Sequence, residues 1–539
     1  MGELTSIEFI KDLCKLEVNG KLFEDYCVYE DIQFLEFSFA NIYTKLNELI
    51  QNNRRNENCK LQRCSKLRPF LFQRFRFIRD KLRSKYKLYD VNDLSKSLIS
   101  KSKTKNKILL TTYSITWGTN IKGEKVDLYL ESIMPVLNKK NYNLSFIDID
   151  ICRRFDKKKL QEKIKQIDNL YPFESFMERK SYKWASGVSK ELLNNWKAIK
   201  ENKAFESLAE KYGLRVEDVK NILEVIFRKR VHEAALYIET WKNILSKERP
   251  DLLVLVHDRE GYGIAAKIVA NTMGIPSIAI QSGLLFSKHW GTYSLLKDYK
   301  EYISTKPTST CLYGEFSRDL LLRDGLFDES ELEVTGMVRT DPIVEQINEF
   351  NKEEICKEYG LDHDKKIFVY CTQPKAGTEG TTNALFNIWK DFKDVQLIVK
   401  LHPRQNPSFF EECAKKYNIS PIITKDFNLF KTLFVCDAMM TTVWSTTALE
   451  AMIFNKPVIS SNFTGDPPLL PFVDRKAALG ATNEAEMKLA ISKLLFDEKS
   501  KAEVVKHGKV FLDDFFYEVD GKVHERIVKV IEDVLEIQS

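Results

Sequence analysis

Two polar clusters in the C-terminal half of the sequence have side chains suited to binding a phosphate. Each follows a short apolar run, residues 395–399 and residues 434–440, that predicts a buried strand. The second cluster opens directly into a helical segment, residues 448–454, and a helix start offers free backbone N–H groups to an anion. The clusters comprise Lys400, His402, Pro403 and Arg404, and Thr441, Thr442, Ser445, Thr446 and Thr447. They predict a phosphate site, although a capped helix beside a solvated loop would give the same pattern.

A third cluster, in the N-terminal half, carries groups that can accept a proton. It follows the apolar run at residues 252–256 and contains Asp258 and Glu260 ahead of a Gly-Tyr-Gly turn. A carboxylate held near a bound hydroxyl can act as a general base, so either acid is predicted to deprotonate an acceptor. A solvated loop would also account for Glu260. We expect the acceptor side to comprise His257, Arg259, Gly261, Ser282, Gly283 and His289, the last of which could instead be a core residue.

These clusters need a scaffold that brings strand ends together, and the sequence predicts one. Short apolar runs alternate with helical segments from residue 107 to about residue 500, a pattern typical of parallel α/β sheets. Ligands of such sheets bind at the carboxyl ends of the strands. The predicted units are a helical, basic N-terminal module (1–106), a Rossmann-like acceptor domain (107–345) with a helical insertion at about 156–249, a nucleotide-binding domain (346–500) and C-terminal helices (501–539) that pack back on the N-terminal domain. At the junction, Arg339 and Asp341 are predicted to form an ion pair.

The net charge of +6 is concentrated in one stretch. Residues 60–107 hold 16 Lys and Arg against 3 Asp, a net +13. Within it, the segment Arg63–Leu88 interleaves basic side chains with Phe and Tyr, which suits an anionic membrane surface. The same composition could bind nucleic acid. It could also belong to a basic helix whose aromatic residues pack on the next domain. We predict peripheral contact with a membrane and no nucleic-acid partner.

Composition excludes several classes of protein. The 539 residues, 43% of them hydrophobic and 30% charged, are typical of a multidomain globular protein. The ten cysteines are scattered without a CxxC pair, so neither a structural metal nor a disulfide framework is expected. The N-terminus lacks the basic start and apolar stretch of a signal peptide, and no apolar run is long enough to span a membrane. These features predict a cytoplasmic protein.

Motifs in both halves resemble the GT-B glycosyltransferase fold of enzymes that build surface polysaccharides. They are the VTG-x-x-R-x-D segment at residues 334–341, the KLHP strand end at residues 400–403, and the STTALEAM-x-x-x-KPVI segment at residues 445–459. Similar motifs occur in bacterial sialyl- and Kdo-transferases, glycerophosphotransferases of teichoic acid synthesis and UDP-N-acetylglucosamine 2-epimerases. The resemblance covers roughly residues 107–535. It implies two Rossmann-like domains that face a cleft.

The resemblance also implies roles for individual residues. The His-Pro pair and the hydroxyl cluster would contact the donor phosphate and nucleotide, and Glu450 would bind the ribose. Gln373 and Lys375 are expected to border the base. The acidic-acidic-Gly motif that supplies the base of sialyltransferases is matched at Glu260-Gly261, although Arg259 stands where the second acid is expected. The paired Glu and Arg of the epimerases are absent after Gly283, which weighs against epimerisation.

Together these features predict an inverting glycosyltransferase that uses a CMP-, CDP- or UDP-linked sugar and a glycan or lipid-linked acceptor. No Asp-x-Asp motif is predicted in a strand-end loop, which favours catalysis without a metal or other cofactor. His402, Lys400 and Arg404 would offset the negative charge of the leaving group. Two alternatives remain open: a polyol-phosphate transferase or nucleotide-sugar epimerase on the same fold, and a non-catalytic basic scaffold that binds a membrane or nucleic acid.

Overall fold

The structure is a computed structural model. It describes residues 2–50 and 106–537 apart from a few short gaps, which are residues 40, 41, 43, 47, 48, 151–155, 284, 286–305, 324–326, 375, 376, 444, 466, 467 and 469. Three sequence predictions therefore lie outside the described residues. They concern the basic segment Arg63–Leu88, Lys375 and His289.

The described part of the N-terminal module begins with a helix that is followed by two small hairpins. Its elements are α1 (Gly2–Cys14) and strands β1 (Glu17–Val18), β2 (Lys21–Leu22), β3 (Val28–Tyr29) and β4 (Ile32–Gln33). Each pair of strands is antiparallel. The helical part of the prediction is seen in α1, and the hairpins are an addition to it, because two-residue strands are too short to show the alternation by which strands are recognised in a sequence.

A parallel sheet of seven strands forms the core of the N-terminal domain, in the order β13-β12-β11-β10-β5-β8-β9. β6 and β7 form a separate antiparallel hairpin. In chain order the strands are β5 (Lys107–Tyr113), β6 (Trp117–Thr119), β7 (Lys125–Asp127), β8 (Asn143–Ile149), β9 (Leu170–Pro172), β10 (Leu252–Val256), β11 (Ser277–Ile280), β12 (Ser309–Leu312) and β13 (Leu332–Val334). The helices are α2 (Ile133–Lys139), α3 (Lys157–Gln166), α4 (Arg179–Ile199), α5 (Lys203–Lys211), α6 (Val216–Val225), α7 (Val231–Glu248), α8 (Gly261–Thr272) and α9 (Glu315–Leu322).

A second parallel sheet, of six strands, forms the C-terminal domain in the order β16-β15-β14-β17-β18-β19. Its strands are β14 (Lys366–Cys371), β15 (Val395–Lys400), β16 (Ile422–Thr424), β17 (Ala438–Thr442), β18 (Val458–Ser461) and β19 (Leu479–Ala481). The helices that follow are α10 (Asp341–Gln346), α11 (Lys352–Tyr359), α12 (Thr378–Trp389), α13 (Ser408–Tyr417), α14 (Leu429–Val435), α15 (Thr447–Ile453), α16 (Glu484–Phe496), α17 (Glu498–Phe516) and α18 (Val523–Glu536).

Both sheets are doubly wound, and each has a point where the strand order reverses. In the N-terminal sheet the reversal lies between β5 and β10, and in the C-terminal sheet between β14 and β17. Central strands such as β10 are fully buried and wholly apolar, as expected for a parallel sheet covered by helices on both faces. Because ligands of open α/β sheets bind outside the strand ends at such reversals, the topology directs attention to the loops after these four strands.

Most of the predicted helical insertion is helical, with one exception. α4 to α7 form a helical unit whose core includes the fully buried Trp196 and Trp241. The N-terminal module packs into this core, and the Asn195 side chain donates a hydrogen bond to the Tyr26 carbonyl. However, Leu170–Pro172 is β9, which pairs in parallel with β8 at the edge of the sheet. Three residues that end in proline carry too little pattern to reveal a strand inside a helical stretch.

The two C-terminal helices connect the halves. α17 contacts α15 of the C-terminal domain and α9 of the N-terminal domain, and α18 packs against α2 and β12. The N-terminus of α18 is held by Asp341, whose carboxylate accepts hydrogen bonds from the backbone N–H groups of Val523 and His524. Within the described part of the chain, no helix is long and apolar enough to cross a membrane.

Candidate functional site

The loops after β14 and β15 are joined by a small network of hydrogen bonds. The Thr372 hydroxyl donates to Gln405 Oε1 at 2.5 Å, and Gln405 Nε2 donates to the carbonyl oxygen of Gln373 at 3.0 Å. The backbone N–H of His402 lies 3.2 Å from both Thr372 Oγ1 and Gln405 Oε1. These contacts place His402 at the carboxyl edge of the sheet with a fixed backbone, beside the reversal between β14 and β17.

The imidazole of His402 is set up as a neutral hydrogen-bond donor. Its Nδ1 accepts the backbone N–H of Arg404 at 3.2 Å, so a neutral ring carries its proton on Nε2. Partial burial lowers the pKa of His402 below the usual histidine value, and the positive charges of Arg404 and Lys400 lower this pKa further. At neutral pH the side chain is therefore an uncharged donor whose Nε2–H is available to a ligand.

The neighbouring predicted residues differ in how much they can contribute. The ammonium of Lys400 donates to the carbonyl oxygen of Lys425 at 2.6 Å, and burial lowers its pKa. Pro403 and Arg404 are exposed. Lys400 therefore supplies positive charge from a fixed position, whereas the guanidinium of Arg404 is placed at the surface of the same loop.

The hydroxyl cluster at the start of α15 is partly used for capping. Ser445 is buried, and its Oγ accepts the backbone N–H of Thr447 at 3.2 Å. Thr446 is exposed, and its side chain makes no capping hydrogen bond. Behind them, the buried hydroxyl of Thr442 has no hydrogen-bond partner among the described residues. The cluster thus contains both an ordinary helix cap and hydroxyl groups that a ligand could engage.

An ion pair between the two halves holds Glu450. Its Oε1 accepts a hydrogen bond from Arg339 Nη2 at 3.0 Å, and its side chain is buried. Burial raises the pKa of Glu450, an effect that the charge of Arg339 opposes. The predicted pair between Arg339 and Asp341 is wrong, because Asp341 instead contacts Nδ1 of His524 at 2.7 Å. Sequence neighbours were paired in the prediction, whereas the fold gave each residue a partner more than a hundred positions away.

In the N-terminal half, Asp258 is committed to a buried ion pair. Its Oδ2 lies 2.7 Å from Nζ of Lys267, and both side chains are buried. Burial raises the pKa of Asp258, but the charges of Lys267 and Arg259 outweigh this, so that the pKa lies below the usual aspartate value. A Cβ at Gly263 would lie 2.4 Å from the carbonyl oxygen of Asp258, so only glycine allows this tight turn. Asp258 is thus turned inward, into the protein.

Glu260 of the same loop points the other way. It precedes α8, its side chain is 55% exposed, and it makes no helix-capping hydrogen bond. Gly261 follows it, and a Cβ there would lie 3.3 Å from the ring of Tyr237, so the helix start packs closely. Of the two acids that the sequence left open, Glu260 is therefore the one that is exposed to solvent.

His257 and Ser282 lie directly behind Glu260. His257 Nδ1 is 2.9 Å from Ser282 Oγ, and His257 Nε2 is 3.5 Å from Glu260 Oε1. Arg259 Nη2 donates to the Ser282 carbonyl at 2.6 Å, and the backbone N–H of Gly283 donates to the Tyr313 hydroxyl at 3.0 Å. The loops after β10 and β11 are therefore joined, and the predicted acceptor residues that the structure describes lie at one sheet edge.

Two positioning residues were missed in the sequence. Gln405 joins two loops, and Lys267 neutralises Asp258. Gln405 lies two residues beyond the KLHP strand end, so its position alone could have marked it. Lys267 gives no such signal, because its partner is fixed by a tertiary contact. Arg339 was singled out by its motif, but with the wrong partner.

The prediction of metal-independent chemistry is not tested by this geometry. Among the described residues, one group of side chains is compact enough to hold a cation, namely Asp362, His363 and Asp364. These three side chains are exposed, in the turn between α11 and β14, and exposed acidic groups are common without a bound ion.

Comparisons with known proteins agree with this architecture. Residues 314–533 match the family model of CDP-glycerol:poly(glycerophosphate) glycerophosphotransferases. No curated protein matches the chain. Among solved structures, UDP-GlcNAc 2-epimerase of Neisseria meningitidis superposes with a TM-score of 0.50 at 14% identity, covering 79% of this chain and all of the other. The wall teichoic acid polymerase TagF gives a TM-score of 0.46 at 13% identity, covering 92% of this chain and 98% of that one.

The likeness to the epimerase is one of fold, since the identity is low. It agrees with two doubly wound domains in a GT-B arrangement, as predicted. The region matched by the family model contains His402, the cluster at Ser445–Thr447 and Glu450, and it extends through the C-terminal helices. The chain thus has the predicted GT-B fold, and over residues 314–533 it is similar to the glycerophosphotransferases of the superfamily inferred from its motifs.

Proposed function

We propose that this protein is a transferase that moves a polyol phosphate from a CDP-linked donor to a hydroxyl group of a growing cell-surface polymer. The observation that carries the proposal is the match of residues 314–533 to the glycerophosphotransferase family. The donor-side residues predicted from the sequence lie inside that region, at the carboxyl edge of a doubly wound sheet. The sequence favours sugar transfer and leaves polyol-phosphate transfer as an alternative. The proposal adopts that alternative.

The reaction can be balanced with groups that the two half-sites supply. An acceptor oxygen attacks the β-phosphorus of the donor, forming a new P–O bond as the bond from that phosphorus to the bridging oxygen breaks. CMP leaves with the bridging oxygen, and the acceptor proton passes to a carboxylate of the protein. Catalysis of such a step consists mainly of positioning and of stabilising the charge that develops on the phosphates.

The C-terminal half would hold the donor and stabilise the leaving group. The Nε2–H of His402 would donate to the departing phosphate oxygen, and Lys400 and Arg404 would supply positive charge close to it. Hydroxyl groups at Ser445–Thr447 would bind phosphate oxygens, and Gln373 would border the base. Glu450 would contact the ribose while Arg339 remains bound to Glu450 Oε1. A donor seated in this way would direct its β-phosphorus towards the N-terminal half.

The N-terminal half would hold the acceptor and remove its proton. Glu260 is the proposed base because its carboxylate is exposed, whereas Asp258 is buried against Lys267. Ser282 and Gly283 would form the floor of the acceptor site. A lipid-linked or glycan acceptor would explain a basic segment near the membrane, but Arg63–Leu88 lies outside the described residues and its role stays a prediction from sequence.

Donor screening separates this proposal from sugar transfer. Purified protein would be incubated with CDP-glycerol, UDP-N-acetylglucosamine or a CMP-linked sugar, and nucleotide release would be followed by chromatography. Release of CMP from CDP-glycerol, faster than nucleotide release from either sugar donor, is expected. Turnover of a sugar donor alone would establish the glycosyltransferase instead, and an isomerised nucleotide sugar would establish the epimerase.

A further inference from the structure

The backbone of His257 adopts an unusual conformation at the end of a central strand. Its φ is +65°, in the left-handed region that residues with a side chain seldom occupy. Such strain persists only where surrounding contacts impose it, and it is concentrated at functional sites. His257 directly follows β10, next to the reversal of strand order. The left-handed turn holds its ring between Ser282 and Glu260 while the chain continues inward to Asp258.

The contacts of the ring determine which nitrogen carries the proton. A carboxylate can only accept hydrogen bonds, so the nitrogen that faces Glu260, Nε2, must be the protonated one if the contact is to be favourable. Nδ1 is then unprotonated and accepts the hydroxyl proton of Ser282, 2.9 Å away. Within the described part of the chain, the buried Nε2 has no hydrogen-bond partner that meets normal geometry, and Glu260 Oε1 lies 3.5 Å from it. Contacts of this kind often tighten when substrate binds.

The ring is held in this orientation from several sides. Tyr113 packs edge-on against it, with ring centroids 5.3 Å apart. Ser282 is fixed through its carbonyl by Arg259. Exposure decreases along the series, from 55% for the Glu260 side chain to 16% for His257, and Ser282 is buried. The carboxylate is therefore at the outer end, and the imidazole and hydroxyl support it from behind.

We propose that His257 is a positioning residue for Glu260, whose carboxylate it orients through Nε2–H while Ser282 fixes its tautomer through Nδ1. This role deepens the proposed function and rests on it, because Glu260 matters as the group that takes the acceptor proton. The proton passes from the acceptor oxygen to Glu260, and the imidazole keeps its own proton. In this role His257 acts through Glu260 and does not itself touch the substrate.

Two amide variants separate the contacts of the ring. His257→Gln can place its amide N–H near the position of Nε2 and so still donate to Glu260. His257→Asn places its amide near Nδ1, where it can reach Ser282 but not Glu260. Asparagine also tolerates the left-handed backbone well, so loss of activity in His257→Asn would not arise from misfolding. The probe is CMP release from CDP-glycerol with water as acceptor, and CMP-induced thermal stabilisation reports donor binding.

We expect His257→Asn to lower the rate of CMP release about 10- to 100-fold, the range of one hydrogen bond to a charged group, and His257→Gln to lose less. Donor binding should not change. In a Glu260→Gln background, His257→Asn should cause little further loss, because residues that act as a unit are not additive. Independent, multiplying losses, or a wild-type rate in His257→Asn, would overturn the proposal.

A measurement without turnover keeps the test decisive. In protein labelled with ¹⁵N-histidine, the signals of His257 are assigned by their loss in His257→Asn. A proton on Nε2 is expected, and an Nδ1–H tautomer that lacks this proton would overturn the proposal. If the wild-type protein neither releases nor binds CMP, the proposed function fails, and the tautomer alone still decides whether the imidazole faces Glu260 as a donor.

Discussion

Replacing Lys267 by methionine tests whether Asp258 is a structural partner or the catalytic base. The side chains of Asp258 and Lys267 are 9% and 5% exposed, and Asp258 Oδ2 lies 2.7 Å from Lys267 Nζ. At an effective dielectric constant of about 20, the attraction at this distance is roughly 6 kcal/mol, most of it offset by desolvation of both groups. Removing one partner leaves a buried, unpaired carboxylate, which typically costs about 3–5 kcal/mol.

Urea denaturation followed by circular dichroism would measure this cost. Lys267→Met should lower the free energy of unfolding by about 3–5 kcal/mol. The double variant Lys267→Met/Asp258→Leu should recover most of it, because apolar residues of similar volume often replace a buried pair without loss. Lys431→Met is the matched control, since Lys431 lies at the same distance of 2.7 Å from Glu358 but that carboxylate is 52% exposed. The urea midpoint of Lys431→Met should stay close to that of the wild type.

The pH dependence follows from the direction of the shift. Since the pKa of Asp258 is lowered in the folded state, the pair contributes its stability above the unfolded value of about 3.9 and loses it as pH falls through the lower folded value. Lys267→Met should therefore be most destabilising near neutral pH. A Lys267→Met protein as stable as wild type would refute the structural role. A folded Asp258→Asn that releases no CMP, beside an active Glu260→Gln, would make Asp258 the base.

Four further predictions concern the remaining features. His402→Ala should lower CMP release about 100- to 1,000-fold, as for loss of one donor to a developing charge, while the unfolding midpoint stays close to wild type; a wild-type rate would exclude the role. Arg404→Gln should raise the pKa of His402 measured by an NMR titration, because a positive neighbour that lowers it is removed; a further fall would contradict the electrostatic account. Gly263→Ala should cost about 1–3 kcal/mol, as other overpacked sites do, because its Cβ would overlap the Asp258 backbone; unchanged urea stability would show that the turn can adjust. Changing the six arginines of Arg63–Leu88 to serine should reduce co-sedimentation with anionic vesicles but not CMP release from CDP-glycerol; full vesicle binding would reject the membrane contact.

Several buried strands could be predicted from the sequence to within a residue or so, but the strand predicted at residues 434–440 is wrong in its bounds, because α14 ends at Val435 and β17 spans Ala438–Thr442. Leu252–Val256 was predicted with the observed bounds, and Glu484–Phe496 was predicted likewise as a helix. Both carry strong local signals, a continuous apolar run in one and a regular amphipathic spacing in the other. The sequence pattern also predicts a helix over residues 127–137, but the helix begins at Ile133, because residues 125–127 form a hairpin strand. Hairpins of two or three residues are stabilised by their partners and leave little pattern in the chain.

The sequence also determined where the chemistry would be sought. Polar clusters that follow apolar runs must lie at the carboxyl edge of a parallel sheet, so His402 and Glu260 could be singled out without a structure. Which side chains are exposed could not be read in this way. Asp258 and Glu260 are two residues apart and chemically alike, yet one is buried against Lys267 and the side chain of the other is 55% exposed.

Only the tertiary structure decided the partners. Arg339 pairs with Glu450 in the other half, His257 contacts Ser282 on the neighbouring strand, and Gln405 joins two loops. None of these contacts is local, and a side chain that can pair with many others chooses the one the fold brings within about 3 Å. Residue types and strand ends set what chemistry is possible, and the packing of two sheets with their connecting helices set which groups are available for it.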